Sequence, residues 1–115
     1  MIDEEDLRRV ALSLPATTEK PSYGTPGFRV RDKLFARVKE DGASMAVFCA
    51  DESEKAALIE SEPDRFFTTS HYDGRAMVLV RFAALDVAEL TDVLTESWRL
   101  RAPATLVAEF DAAGD

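Results

Sequence analysis

Residues 28–49 read F-R-V-R-D-K-L-F-A-R-V-K-E-D-G-A-S-M-A-V-F-C, and this stretch decides the fold. Apolar residues alternate with polar ones in 28–31 and, apart from Phe35, again in 34–40, which is the period of a half-buried β-strand. Asp41-Gly42 is a strong two-residue hairpin signal, and an apolar run follows it. We therefore predict three consecutive antiparallel strands, with the first turn at Asp32-Lys33.

Three helices are predicted outside this meander, at about residues 3–14, 51–59 and 86–102. Each begins with an aspartate that can cap the helix by accepting a hydrogen bond from a first-turn amide. The apolar segment 76–82 predicts a fourth strand. Residues 15–27 contain three prolines and two glycines, and we expect a shaped loop there.

This order, α-β-β-β-α-β-α, predicts an α+β fold: a two-layer sandwich in which an antiparallel sheet has its helices on one face. A chain of 115 residues is the length of one ordinary domain. We therefore expect a single domain over 1–115. Its C-terminal tail, residues 102–115, can form a short helix.

The charge of the chain is unevenly distributed. The net charge is −8, yet six of the fourteen basic residues lie between Lys20 and Lys39, where Asp32 is the only acid. That window carries +5, so the rest of the chain carries −13. We expect one positive surface on an acidic body, where any contact with nucleic acid is local and no membrane is bound.

Cysteine and histidine content excludes some kinds of site. Cys49 is the only cysteine, which excludes an internal disulfide, and with one histidine it also excludes the Cys/His zinc sites. The first residues are acidic and resemble no signal peptide, and no apolar run is long enough to span a bilayer. A soluble cytoplasmic protein is expected, with Cys49 as an inert packing thiol.

Strand parity assigns the basic residues to one face. Alternation turns Phe28 and Val30 towards the helices, and Leu34, Ala36 and Val38 likewise in the next strand. The open face is then predicted to hold Arg29, Arg31, Phe35, Arg37, Lys39, Met45, Val47, Met77, Leu79 and Arg81. This arrangement is a basic margin around an apolar middle. It indicates a platform for an anionic or flat ligand, or a solvated face whose charges only discourage edge pairing.

The remaining chemical candidates are weak. His71 lies in S-H-Y-D-G, where neighbours this close make no Ser-His-Asp triad, so it is a loop histidine or a ligand contact. Y-G-T-P-G (23–27) matches no phosphate-binding loop, but Tyr23 and Thr25 are candidates to face a pocket. The acids at 3–6 point in different helical directions and stabilise a helix start better than they bind a metal. No cofactor and no metal are expected.

Five segments, in the same order along nearly the whole chain, resemble the MmcQ/YjbR family: S-L-P (13–15), G-T-P-G-F-R-V (24–30), K-L-F-A-R (33–37), F-F-T-T-S-H-Y-D-G (66–74) and V-L-V-R (78–81). The resemblance implies a frataxin-like (CyaY-like) α+β fold. Family members are commonly described as DNA-binding through a double-wing arrangement, and no catalytic residue carries over. An aromatic often begins the strand after the histidine loop, where this chain has Arg75-Ala76-Met77. If that aromatic stacks on a ligand, Phe35 and Tyr72 have to take its place.

Two functions compete. The first is a non-enzymatic, weak and salt-sensitive DNA-binding module, and the second is a small-molecule or protein-partner domain that uses the same face. The candidate contacts are Arg29, Arg31, Lys33, Phe35, Arg37, Lys39, His71, Tyr72 and Arg81, with Tyr23 and Thr25 on the nearby loop. Iron binding, which the frataxin-like fold raises, is remote because fold does not imply function. An enzyme has the least support, and the oligomeric state stays open.

Overall fold

A six-stranded antiparallel sheet organises the protein, whose computed structural model describes residues 1–114. The helices are α1 (Glu4–Ser13), α2 (Glu52–Ser61), α3 (Val87–Arg101) and α4 (Ala104–Ala113). The strands are β1 (Thr17–Ser22), β2 (Thr25–Val30), β3 (Lys33–Val38), β4 (Ser44–Phe48), β5 (Phe66–Phe67) and β6 (Met77–Arg81). They lie in the order β1-β2-β3-β4-β6-β5. Single 3₁₀ turns occupy Ser70–Tyr72 and Phe82–Ala84.

The predicted α+β class with an antiparallel sheet is confirmed, but the predicted order omits β1 and β5. The tail forms α4, ten residues long, and its last residue, Asp115, lies outside the described residues. None of the helices in residues 1–114 combines the length and the apolar content needed to cross a membrane.

The loop predicted at 15–27 is wrong, because most of it forms the β1–β2 hairpin. Ser22 pairs with Thr25 across a two-residue turn, in which Tyr23 and Gly24 have φ of +52° and +82°. Two consecutive left-handed residues form the hairpin turn that matches the twist of the strands. Pro21 is tolerated because β1 lies at the edge of the sheet.

The turn between β2 and β3 follows the same rule. Val30 pairs with Lys33, so the β2–β3 turn is Arg31-Asp32, one residue earlier than predicted, with φ of +48° and +70°. Arg31 is therefore a turn residue and not part of the sheet face. The turn between β3 and β4 contains Asp41-Gly42 as predicted, but it is longer than the two residues expected, because β3 ends at Val38 and β4 begins at Ser44.

The three predicted helix caps are confirmed. Asp3, Asp51 and Asp86 each accept a hydrogen bond from the third amide of their helix. Asp6 also accepts from the backbone N–H of Asp3, and this bond lowers the pKa of the Asp6 carboxyl below its usual value. The acidic start of α1 thus acts as a capping box. Across residues 1–114 no cluster of His, Cys, Asp and Glu has the geometry to hold a metal ion.

A β-bulge in β3 changes which side chains face the core. Phe28 pairs with Ala36 but Arg29 pairs with Leu34, so Phe35 is an extra residue on β3. An extra residue interrupts the alternation of side chains. Phe35 is consequently fully buried in the core, and its predicted place on the open face is wrong. Leu34, predicted to face the helices, shares the open face with Arg29.

Two further open-face predictions are wrong. Met45 pairs with Val38, and Val47 pairs with Ala36. Residues directly opposite each other in an antiparallel pair share a face, so Met45 and Val47 lie in the core below the helices. The open face of the central strands instead carries Ala46 and Leu79, which pack with Tyr72.

The core fills the space between the sheet and the helices α1 and α3. Trp98 is its largest fully buried side chain, and its indole N–H donates to the carbonyl of Pro15 at 3.0 Å. Leu100, near the end of α3, lies outside this core and is 46% exposed. Cys49 is buried, and this desolvation raises the pKa of its thiol to about 11. The thiol is therefore protonated at neutral pH, as expected of a packing cysteine.

Ser97 of α3 fastens the helix to the bulge. Its hydroxyl donates to the carbonyl of Phe35 and accepts from the backbone N–H of Phe48 at 2.9 Å. Ser97 is itself fully buried. One hydroxyl thus satisfies a buried acceptor on β3 and a donor on β4.

We predict that Ser97→Ala lowers the free energy of unfolding by about 2 kcal/mol, because it leaves both backbone groups without their partner. Urea unfolding measures the effect. Ser53→Ala, on an exposed position of α2, is the matched control and is expected to change stability little. Equal effects of the two variants would contradict the role of Ser97.

Candidate ligand-binding cleft

The open face of the sheet is concave. A cleft of about 610 Å³, here named the open-face cleft, lies between the β1–β2 turn, the loop around the 3₁₀ turn at Ser70–Tyr72, and the end of α3. Its lining is mainly basic and aromatic, with one carboxylate: Ser22, Tyr23, Arg29, Leu34, Arg37, Lys39, Glu40, Phe48, His71, Tyr72, Arg75, Met77 and Arg101. A separate groove of about 180 Å³ lies between α2 and α3.

Arg37 is the most buried charge in the open-face cleft, at 6% exposed. It follows the bulge on β3 and points to the open face, where its Nε donates to the carbonyl of Ser22 at 3.0 Å. The ring of Tyr23 lies 5.1 Å from its guanidinium carbon. The β1–β2 turn thus covers Arg37 from one side.

Glu40 is the carboxylate that balances this buried cation. It accepts a hydrogen bond from Nη2 of Arg37, and its other oxygen lies 3.5 Å from Nζ of Lys39. The hydrogen bond from Arg37 is the main reason that the pKa of Glu40 lies below its usual value. Glu40 is therefore ionised at neutral pH.

Lys39 and Tyr72 connect the sheet to the neighbouring loop. Nζ of Lys39 donates to the hydroxyl of Tyr72 at 2.9 Å. Tyr72 is buried, and the exposed imidazole of His71 meets its ring edge-on at 5.0 Å between centroids. These contacts hold His71 beside the basic side chains of the sheet.

Lys55 supports the same loop from below. This lysine of α2 is 6% exposed, and its Nζ donates to the carbonyls of Tyr72 at 2.7 Å and Arg75 at 3.2 Å. A buried ammonium requires such acceptors. Lys55 therefore positions the loop that presents His71 and Arg75 to the cleft.

Three arginines complete the rim. Nε of Arg101, the last residue of α3, donates to the carbonyl of Leu34 at 2.9 Å. Its guanidinium carbon lies 4.2 Å from the ring centroid of Phe48, a cation–π contact. Arg29 donates to the carbonyl of Asp32 at 3.2 Å, and Arg75 is exposed on its loop.

The structure brings together six of the candidate residues from the sequence and separates five. The cleft contains Tyr23, Arg29, Arg37, Lys39, His71 and Tyr72. Arg31 and Lys33 are exposed at the β2–β3 turn, and Phe35 is in the core. Thr25 donates to the carbonyl of Ser22. Arg81, at the far end of β6 from the cleft, donates to the carbonyl of Pro63 and lies over the ring of Phe67.

Sequence reasoning missed Glu40, Phe48, Arg75 and Arg101 as members of the cleft. Arg75 directly follows the histidine loop, which was a usable signal. Arg101 had none, because only the packing of α3 against β3 brings it to the open face. Phe35, expected to replace the family aromatic, cannot do so from the core.

Comparisons with known proteins place the chain among relatives whose function is not described. The YjbR family profile matches residues 12–100. The uncharacterised proteins Rv2570 of Mycobacterium tuberculosis and Mb2600 of Mycobacterium bovis are each 34% identical to this chain, over 92% of it and 93% of their own length.

A solved structure shares the fold. The crystal structure of Deinococcus radiodurans protein DR2400, which has a DUF419 domain, matches with a TM-score of 0.69 at 20% identity. The match covers 87% of this chain and 78% of that one. At this identity the likeness concerns the fold alone. The likeness to frataxins stays a prediction.

We predict that Lys55→Met destabilises the protein by roughly 1–3 kcal/mol, since two carbonyls lose their donor. It also loosens the loop, so the backbone amides of Tyr72 and Arg75 exchange hydrogen faster than in the wild type. Native-state hydrogen exchange measures this. Lys33→Met, at an exposed position, is the control. Unchanged exchange in Lys55→Met would contradict the positioning role.

Proposed function

Since this chain belongs to the YjbR family, we propose that it is a non-enzymatic binding module whose open-face cleft holds a small anionic ligand. The observation that carries the proposal is the charge of the cleft. Five arginine and lysine side chains and His71 line it against one carboxylate, in a chain whose net charge is −8. Its volume of about 610 Å³ lies in the usual range of small-molecule sites.

Electrostatics favours a compact anion over a long one. A cleft lined by one sign of charge concentrates its field and attracts counter-ions locally. Beyond the cleft and the adjoining β2–β3 turn, the acidic body repels an extended polyanion. Attraction is therefore strongest for a ligand small enough to stay within the lining residues.

Several donors are held in place before a ligand arrives. Arg37 is anchored by the carbonyl of Ser22, Arg101 by that of Leu34, and Lys39 by the hydroxyl of Tyr72. Anchored side chains lose little conformational freedom on binding, which favours affinity. Each arginine still has N–H groups beyond those used in its anchor.

We predict that Arg75→Gln and Arg29→Gln each weaken anion binding at least about fivefold, as expected when a charge-assisted hydrogen bond is lost. The measurement is ligand-detected NMR at low ionic strength with pyrophosphate, adenosine monophosphate and 2-naphthoate as probes. Arg9→Gln, which removes the same charge from α1, is the control and should leave affinity within about twofold. If no probe binds, or if Arg9→Gln weakens binding equally, the proposal fails.

A second candidate is single-stranded nucleic acid in the same cleft, as the DNA-binding expectation suggests. Basic charge continues past Arg29 to Arg31 and Lys33, both exposed at the β2–β3 turn. Tyr23 is 89% exposed and offers a ring on which a base can stack. A strand that leaves the cleft across this turn would meet both features.

The length of a bound nucleotide chain distinguishes the nucleic-acid candidate from the small-anion candidate. If a strand is bound, an eight-nucleotide oligothymidylate binds more tightly than thymidine monophosphate. A plot of the logarithm of its binding constant against the logarithm of the salt concentration then has a slope of roughly −0.7 per phosphate contact. The double variant Arg31→Gln with Lys33→Gln should then weaken only the oligomer. Fluorescence anisotropy measures the oligomer, and competition measures the mononucleotide. Equal affinities would reject the strand and leave the small ligand.

A further inference from the structure

We propose that the ligand of the open-face cleft is a flat aromatic carboxylate, and that its carboxylate binds Arg37 in the place that Glu40 now occupies. Glu40 is then an internal competitor of the ligand. This inference rests on the proposed function, because it names the ligand class and the regulation of the same cleft.

Arg37 is the fixed half of the pair. It is 6% exposed, and its anchor is the backbone carbonyl of Ser22 on the adjacent hairpin. A buried guanidinium left without an anion is strongly unfavourable. Arg37 therefore stays in position and requires a carboxylate, whichever molecule supplies it.

Glu40 is the replaceable half. It lies past the end of β3, in the turn region before β4, and its side chain is 58% exposed although that of Arg37 is only 8% exposed. When its carboxylate leaves, water can solvate it, whereas Arg37 cannot follow. Exchange with a ligand carboxylate keeps the buried charge balanced, so the exchange has a small intrinsic cost.

The carboxylate of Glu40, which now binds Arg37, indicates which chemical group the ligand presents there. One carboxylate lies between the guanidinium of Arg37 and, at 3.5 Å, the ammonium of Lys39. A ligand carboxylate reproduces this arrangement group for group. Planar carboxylates also suit the fork of an arginine, whose remaining N–H groups can form a second parallel bond.

The aromatic side chains that line the open-face cleft indicate that the ligand is flat. Tyr23 lies over Arg37 and is 89% exposed, so most of its ring is available to stack on a ligand. His71 is exposed on the opposite loop, and Phe48 lies under Arg101. Aromatic rings and guanidinium planes stack well on a planar ring system. The volume of the cleft leaves room for fused rings.

The test compares three probes of one shape on the full chain by isothermal titration calorimetry. They are 2-naphthoate, its neutral isostere 2-naphthamide, and 2-naphthyl phosphate. Glu40→Gln is expected to bind 2-naphthoate about tenfold more tightly than the wild type, since the ligand no longer displaces a charge-assisted partner. The amide should bind weakly to both proteins, and the phosphate less tightly than the carboxylate.

Two controls separate the contact from the change in charge. Asp73→Asn removes the same charge from an exposed residue of the loop outside the cleft lining, and should change affinity by less than about twofold. Glu40→Asp keeps the charge but shortens the reach to Arg37, so it should also tighten binding. This variant keeps the test decisive if Glu40→Gln does not fold.

The outcomes distinguish the two proposals. If none of the three naphthyl probes binds any folded variant, this inference fails, whereas the proposed function fails only if pyrophosphate and adenosine monophosphate do not bind either. If 2-naphthoate binds all variants alike, or binds Glu40→Gln more weakly, the cleft still holds an anion but Glu40 is not its competitor. Tighter binding of the phosphate than of the carboxylate would reject the ligand class.

Discussion

The rest of the structure depends on the β-bulge in β3, where Phe35 is one residue more than the partner strand β2 has. Without it, a strand with the order Leu-Phe-Ala-Arg would have to place either the phenylalanine or the arginine on the wrong face. With it, Phe35 and Ala36 both enter the core, and Arg37 is directed to the open face. The hydroxyl of Ser97 makes this irregular backbone stable, because it satisfies the carbonyl at the bulge.

The same bulge separates two environments with opposite requirements. On the helix side the sheet is covered by aromatic and aliphatic side chains around Trp98. On the open side, the charges converge on a concavity and are held by backbone carbonyls, a phenol and a single carboxylate. Repulsion among the cations is reduced there because Arg29, Arg37, Lys39 and Arg101 each donate to a separate acceptor. Local anchoring thus lets an acidic chain maintain one concentrated positive surface.

Local rules predicted the parts of the fold that are local. Helix caps and the turn at Asp41-Gly42 depend on a few neighbouring residues, and they were found where the sequence places them. The β1–β2 hairpin was missed because its prolines and glycines suggest a loop when the edge position of the strand is unknown. The bulge was missed since an extra residue is visible only against a partner strand. Arg101 and Lys55 reach the cleft or its loop through tertiary packing, which no spacing along the chain indicates.

Ser97 and Arg101 lie one helical turn apart on α3 and bind the consecutive carbonyls of Phe35 and Leu34. Two side-chain hydrogen bonds therefore attach α3 to adjacent residues of β3, one on the core side and the other on the cleft side. A substitution of Arg101 that suits a new ligand also removes one of the two hydrogen bonds that attach α3 to β3. No such attachment of a helix to the sheet depends on the exposed turn and loop residues Tyr23, His71 and Arg75. Diversification of ligand preference among related proteins should therefore concentrate at these three positions, while the Arg101 position drifts slowly.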